Sequence, residues 1–107
     1  MNILFDQNMP KKLRRHLKGH VVTTAFAMGW DRTVNGASIK AAEAAGFDVF
    51  VTGDQKLAYQ QNLAERKIAI VELTKNNWPI VKIHAEEIAA AVDACVPGSY
   101  VRVLCGS

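Results

Sequence analysis

The sequence predicts a small doubly wound α/β domain: a mostly parallel sheet of about four to five strands with helices on both faces. Two observations carry this. Short apolar runs alternate with stretches of helical spacing from one end of the chain to the other, the pattern of strand–helix–strand units. Residues 2–5 and 49–51 are almost wholly apolar, as suits strands buried on both faces of a parallel sheet. No repeat, linker or low-complexity stretch divides the chain, so residues 1–107 read as one domain.

The first strand stops at Asp6-Gln7-Asn8, three polar residues that cannot continue a core strand. Met9-Pro10 opens a helix, since proline suits a first turn where no partner awaits its missing N–H. Met9, Leu13 and Leu17 recur every fourth residue and form its buried stripe. Lys11, Lys12, Arg14, Arg15 and Lys18 occupy its remaining surface, and Gly19 ends it. Residues 21–25 form the second strand, rich in β-branched side chains.

A loop over residues 28–34 carries Gly29, Trp30 and Asp31. Asn35 caps a helix running to about residue 45, with Ile39, Ala42 and Ala45 inward and Gly46 closing it. The third strand, residues 49–51, runs into Thr52-Gly53-Asp54. A helix over residues 55–65 leads to a fourth strand over residues 67–73. After a polar loop, Pro79 begins or precedes the last helix, which contains Ile83, Ile88, Ala91 and Val92 and ends near residues 96–98. Residues 100–104 make a final strand at the sheet edge. Right-handed crossovers leave few topologies. The simplest places the first strand between the second and the third.

The composition is ordinary for a globular domain: 107 residues, half of them hydrophobic, 21% charged and a net charge of +3. Five of the 13 basic residues fall between Lys11 and Lys18. Cys95 and Cys105 have no CxxC spacing and make no zinc set with His16, His20 and His84, so free thiols in a reducing compartment are expected. No apolar run approaches the roughly 20 residues needed to span a bilayer, and the N-terminus lacks a signal-peptide layout. A cytoplasmic protein without membrane contact is the expectation.

Ligands of open α/β sheets bind at the carboxyl ends of the strands, where the winding reverses. In the expected topology that point lies between the first and third strands. Asp6 leaves the first there and Asp54 leaves the third. Neighbouring strands lie about 4.8 Å apart, so the two carboxylates converge. Close carboxylates repel, and a proton or a cation must relieve them. Magnesium suits oxygen ligands of this kind and often binds phosphates as well. Asn8 and Asn35 reach the same mouth and add amide oxygens, although Asn35 also serves as a cap. The basic helix that follows Asp6 offers Lys11, Lys12, Arg14 and Arg15 to a phosphodiester. A charge run of this kind also reads as a solvated face. Trp30 and Trp78 offer rings for base stacking, though a tryptophan more commonly folds over a core edge.

The stretch from Asn2 to Pro10 resembles the opening of a compact branch of the PIN-like superfamily, an apolar strand followed by Asp-Glu-Asn-Leu-Pro. Asn35-Gly36, the run from Ala41 to Val49, Val51-Thr52-Gly53-Asp54-Gln55, Tyr59-Gln60-Gln61-Asn62-Leu63 and Asn76-Asn77-Trp78-Pro79 are similar to that branch too. The resemblance implies an α/β fold and a ribonuclease dependent on magnesium or manganese. It implies RNA as substrate, an antitoxin-like partner in a toxin–antitoxin pair, and a homodimer. It makes Asp6 and Asp54 the principal acids, with Thr52 supporting Asp54 and Asn8 nearby. Gln7 stands where the family pattern often has Glu. Ala37 and Ser38 replace acids in the helix after Asn35, and Asp31 is a substitute from the preceding loop.

Three functions therefore compete. The first is a metal-dependent nuclease. The second is a PIN-like binding module whose acidic site is depleted or inactive. The third is a phosphoacceptor receiver domain, disfavoured because Gln7 follows Asp6 where a receiver has a second acid.

Overall fold

Five strands form one sheet, and their order fixes which chain segments can meet at its carboxyl edge. The strands are β1 (Asn2–Phe5), β2 (Val21–Thr24), β3 (Val49–Thr52), β4 (Ala69–Leu73) and β5 (Tyr100–Val103). Every pairing is parallel, in the order β2-β1-β3-β4-β5. The structure, a computed structural model, describes residues 1–6, 9–25, 27–29, 41–53, 67–75 and 77–105. β1 thus lies between β2 and β3, and β5 lies at an edge, as the sequence predicts. The three interior strands carry the apolar runs: β3 and β4 are buried along their whole length, and β1 from Ile3 onward.

Side chains alternate between the two faces of a strand, and two apolar clusters result. One face presents Ile3, Phe5, Val49, Val51, Val71 and Leu73, packed against Leu13, Leu17, Val81, Ala85, Ile88 and Val92. The other presents Leu4, Phe50 and Ile70, with Ala42. Each such fully buried Leu, Ile or Phe contributes roughly 1.5–3 kcal/mol through removal from water. Ala42 is inward as expected, whereas Ala45 is exposed. Helix 55–65 and Ile39, both expected from sequence, lie outside the described residues.

The first connection is a 3₁₀ helix, Lys11–His16, rather than the longer α-helix expected up to Gly19. Its turns close through Leu13 N–H to the Pro10 carbonyl and Leu17 N–H to the Arg14 carbonyl, both 3.1 Å. Pro10 enters it with extended backbone and without a side-chain cap, so nothing holds the wider α-turn at its start. The expected stripe survives: Met9, Leu13 and Leu17 are buried, and Lys11, Lys12, Arg14, Arg15 and Lys18 are exposed. Gly19, at φ +84°, then turns the chain into β2.

The last connection departs from the expected winding. Trp78–Val81, Lys82–His84 and Ala85–Asp93 form a continuous helical run, α, 3₁₀ and α in turn. It packs on the same face as the Lys11–His16 helix. Yet β1 to β2 moves one way across the sheet and β4 to β5 the other. Two crossovers over one face in opposite directions have opposite hands, so the expectation of right-handed crossovers throughout fails here. The amphipathic helix covers that face beside the short 3₁₀ helix with Val81, Ala85, Ile88 and Val92. Ile83, in the 3₁₀ link, faces solvent. Among the described residues no helix is long and apolar enough to cross a membrane.

Candidate functional site at the carboxyl edge

β1 and β3 end side by side, and their last polar groups meet. Thr52, fully buried, donates its hydroxyl to Asp6 Oδ2 at 2.7 Å. The Asp6 N–H donates to the Val51 carbonyl at 2.9 Å, which extends the β1–β3 ladder by one residue. The Asp6 carbonyl accepts from Met9 N–H at 3.0 Å. That turn directs the chain into the basic helix. Asp6 is therefore fixed by backbone on both sides, and one carboxylate oxygen is oriented by Thr52. The resemblance pairs Thr52 with Asp54, which lies outside the described residues; among the described residues Thr52 bonds Asp6.

The register carries this polar level across the sheet. Thr52 lies opposite Glu72, and Glu72 opposite Arg102. Asp6, Thr52, Glu72 and Arg102 thus stand in one row over four adjacent strands, on the face that also carries Leu4, Phe50 and Ile70. Sequence reasoning missed Glu72. Its signal was present: a single acid inside the otherwise apolar run of β4, with no turn residue to explain it.

Glu72 is fully buried, and a buried carboxylate requires partners for its charge and its lone pairs. It has them. The Tyr100 hydroxyl donates to Oε1, and Arg102 Nε donates to Oε2 at 2.5 Å. The arginine side chain remains 44% exposed. Burial, aided by the bond to the Glu72 carboxylate, pushes the Tyr100 hydroxyl above its ordinary range. The same carboxylate holds the Arg102 guanidinium still more firmly protonated.

The four basic residues assigned to phosphate contact, Lys11, Lys12, Arg14 and Arg15, are all exposed on the 3₁₀ helix, which has no acid of its own. Trp78 is half-buried and packs against the core edge, with the His16 ring 5.9 Å away and tilted by 41°. Of the remaining expected site residues, Gln7, Asn8, Asp31, Asn35 and Asp54 lie outside the described residues. Among the described residues no three His, Cys, Asp or Glu side chains gather into a metal-binding group.

A cleft of about 600 Å³ opens at the other end of the strands, lined by Glu43, Gly46, Phe47, Asp48, Lys67 and Pro97 among others. Its Asp48 accepts the Asn2 N–H at 2.8 Å and so holds the start of β1. The cleft is remote from Asp6 by the length of the sheet.

The fold and the row together define a parallel α/β protein whose buried polar residues, among those described, are Thr52 and Glu72 near the carboxyl edge. No protein-family model, no curated protein and no solved structure matches the chain.

Proposed function

We propose that the chain is a PIN-like, metal-dependent ribonuclease domain of the kind found as the toxin of a toxin–antitoxin pair. The observation that supports this best is the Thr52–Asp6 hydrogen bond at the carboxyl ends of β1 and β3. β1 has β2 on one side and β3 on the other, so the strand order reverses here, the usual ligand position in open α/β sheets. Asp54 follows Thr52 by two residues in the sequence. The described end of the β2–β3 connection, through Ala42, covers the face opposite the Lys11–His16 helix. That favours a doubly wound arrangement over this half of the sheet.

The donor set fits a hard cation: Asp6 presents an oriented carboxylate, and Asp54, Asn8 and Asn35 add oxygens by sequence. Magnesium or manganese bound there supplies charge neutralisation at a scissile phosphate and an activated water. Thr52 keeps Oδ2 of Asp6 engaged. Lys11, Lys12, Arg14 and Arg15 hold the phosphodiester backbone.

The test is cleavage of single-stranded RNA by purified protein with magnesium or manganese. Asp6→Asn and Asp54→Asn should each abolish it while the protein stays folded. Undiminished cutting by both variants would trace the activity to a contaminant and end this reading.

One observation favours a second reading, a binding module without catalysis. Glu72, the other described carboxylate of the row, is already engaged by Arg102 and Tyr100. An inactive module would show no millimolar magnesium binding by calorimetry and would co-purify with a partner.

A further inference from the structure

Glu72 accepts on both oxygens, from Tyr100 and from Arg102 Nε. Among the described residues the positive charge set against it is that of Arg102, which Glu72 holds through Nε and the Tyr100 side chain also meets, while 44% of the arginine side chain stays exposed. Arginine carries five N–H donors in a planar fork. The outer nitrogens of that fork match two oxygens of a phosphate. A free surface arginine loses rotamer freedom when it binds. This one is already held by Glu72 and by the β4–β5 ladder, where Glu72 faces Arg102 directly. Much of the ordering cost of a phosphate contact is thereby met before the ligand arrives.

Position gives the contact its use. Arg102 shares the row of Asp6, three strands away, or about 14 Å at the usual spacing. The Lys11–His16 helix leads from β1 to β2, on the other side of Asp6. The helix lies on the Ile3/Phe5 face and Arg102 on the Leu4/Phe50 face, so a strand of nucleic acid passing over the carboxyl edge from one face to the other would meet basic residues on both sides of the aspartate. Magnesium or manganese need not take part in either contact.

We propose that Arg102 binds a backbone phosphate of single-stranded RNA, with Glu72 and Tyr100 as its positioning residues, and that it grips the strand on the side of Asp6 away from the Lys11–His16 helix. This deepens the ribonuclease reading and rests on its choice of RNA as ligand, but it needs no cleavage.

The test is fluorescence anisotropy with a short labelled oligouridylate, in chelator, over a series of salt concentrations. Arg102→Gln should weaken binding several-fold at low salt. It should also lower the slope of log affinity against log salt by about 0.7, the loss of one single-strand phosphate contact. Arg102→Lys should keep the slope but bind more weakly than the wild type, since a lysine keeps the charge and loses the fork. Arg102→Gln leaves Glu72 without its counter-charge and can fail to fold. The double variant Glu72→Gln with Arg102→Gln replaces the ion pair by two amides, and its circular dichroism melt reports folding. It should show the same reduced slope. A folded double variant with wild-type affinity and slope means that Arg102 serves only to neutralise Glu72, and the assignment fails. A wild-type protein that does not bind the oligonucleotide also overturns it. RNA binding with the reduced slope but no metal-dependent cutting removes the nuclease reading and leaves Arg102 in place. Cutting with an unchanged slope does the reverse.

Discussion

The hydroxyl of Thr52 lies 2.7 Å from the carboxylate of Asp6, and 46 residues of sequence separate the two. Asp6 is half-buried and Thr52 wholly so. The bond therefore forms where water competes poorly, and it ties the ends of two adjacent strands at the level where a ligand would dock. A β-branched residue suits the strand, and a hydroxyl suits the acid beside it. Thr52 satisfies both demands at one position.

Thr52→Val keeps the shape and deletes the donor. The loss should be about 1 kcal/mol of folding stability, the usual net value of one such bond, read from the urea midpoint. Asp6 would keep its backbone anchors but lose the Thr52 hydroxyl that engages Oδ2. If the ribonuclease reading holds, cutting should fall by more than stability does, and Thr52→Ser should restore most of it. A Val variant as active as the wild type would show that the orientation of Asp6 is irrelevant to the chemistry.

Leu13 fixes the 3₁₀ helix to the sheet and is fully buried. Leu13→Ala should cost about 2–5 kcal/mol, the range for a large-to-small change in a packed core. Chemical denaturation gives the number. Loss of less than about 1 kcal/mol would mean that the basic helix is held by its turns and not by its apolar stripe.

Alkaline pH should weaken the fold through Tyr100. Its hydroxyl is raised in the folded state by burial and by Glu72, whereas in the unfolded chain it ionises near 10. Below that value both states hold the proton and the contribution is complete. As pH rises through the folded value the unfolded state has already lost its proton, so unfolding is favoured. Urea midpoints should fall above about pH 10, and Tyr100→Phe should flatten part of that fall. An identical alkaline limb in the Phe variant would assign it to other groups, among them the buried Cys105 thiol, which burial also pushes up.

Strand positions were legible because burial on both faces demands apolar runs, and few such runs exist in this chain. The place of β1 between β2 and β3 followed from the alternation of strands with helices. The type of the first helix was not legible. Met9, Leu13 and Leu17 at fourfold spacing are compatible with an α-helix and with the 3₁₀ helix observed, and the difference lies in how Pro10 delivers the chain. The side taken by the last crossover was also hidden. A stripe such as Ala85, Ile88 and Val92 says which side of a helix is apolar, not which face of the sheet it will cover. Glu72 was hidden for another reason. Its partners lie 28 and 30 residues further on, and only the parallel pairing of β4 with β5 brings them opposite. Asp6 and its basic helix were legible as a candidate site because they adjoin in sequence.

Edge strands ordinarily fray first, since half of their backbone groups already face solvent and little packing is lost when they leave. β5 is bound by a different economy. Were it to peel away, Glu72 would lose Arg102 and Tyr100 together and be left as an unpaired charge on β4, which would then be the outer strand. Small, frequent departures are thereby suppressed, and the amides of Tyr100–Val103 should exchange with deuterium only in larger openings that also wet β4. An outer strand at the C-terminal end of the chain would then report on the core as faithfully as an inner one.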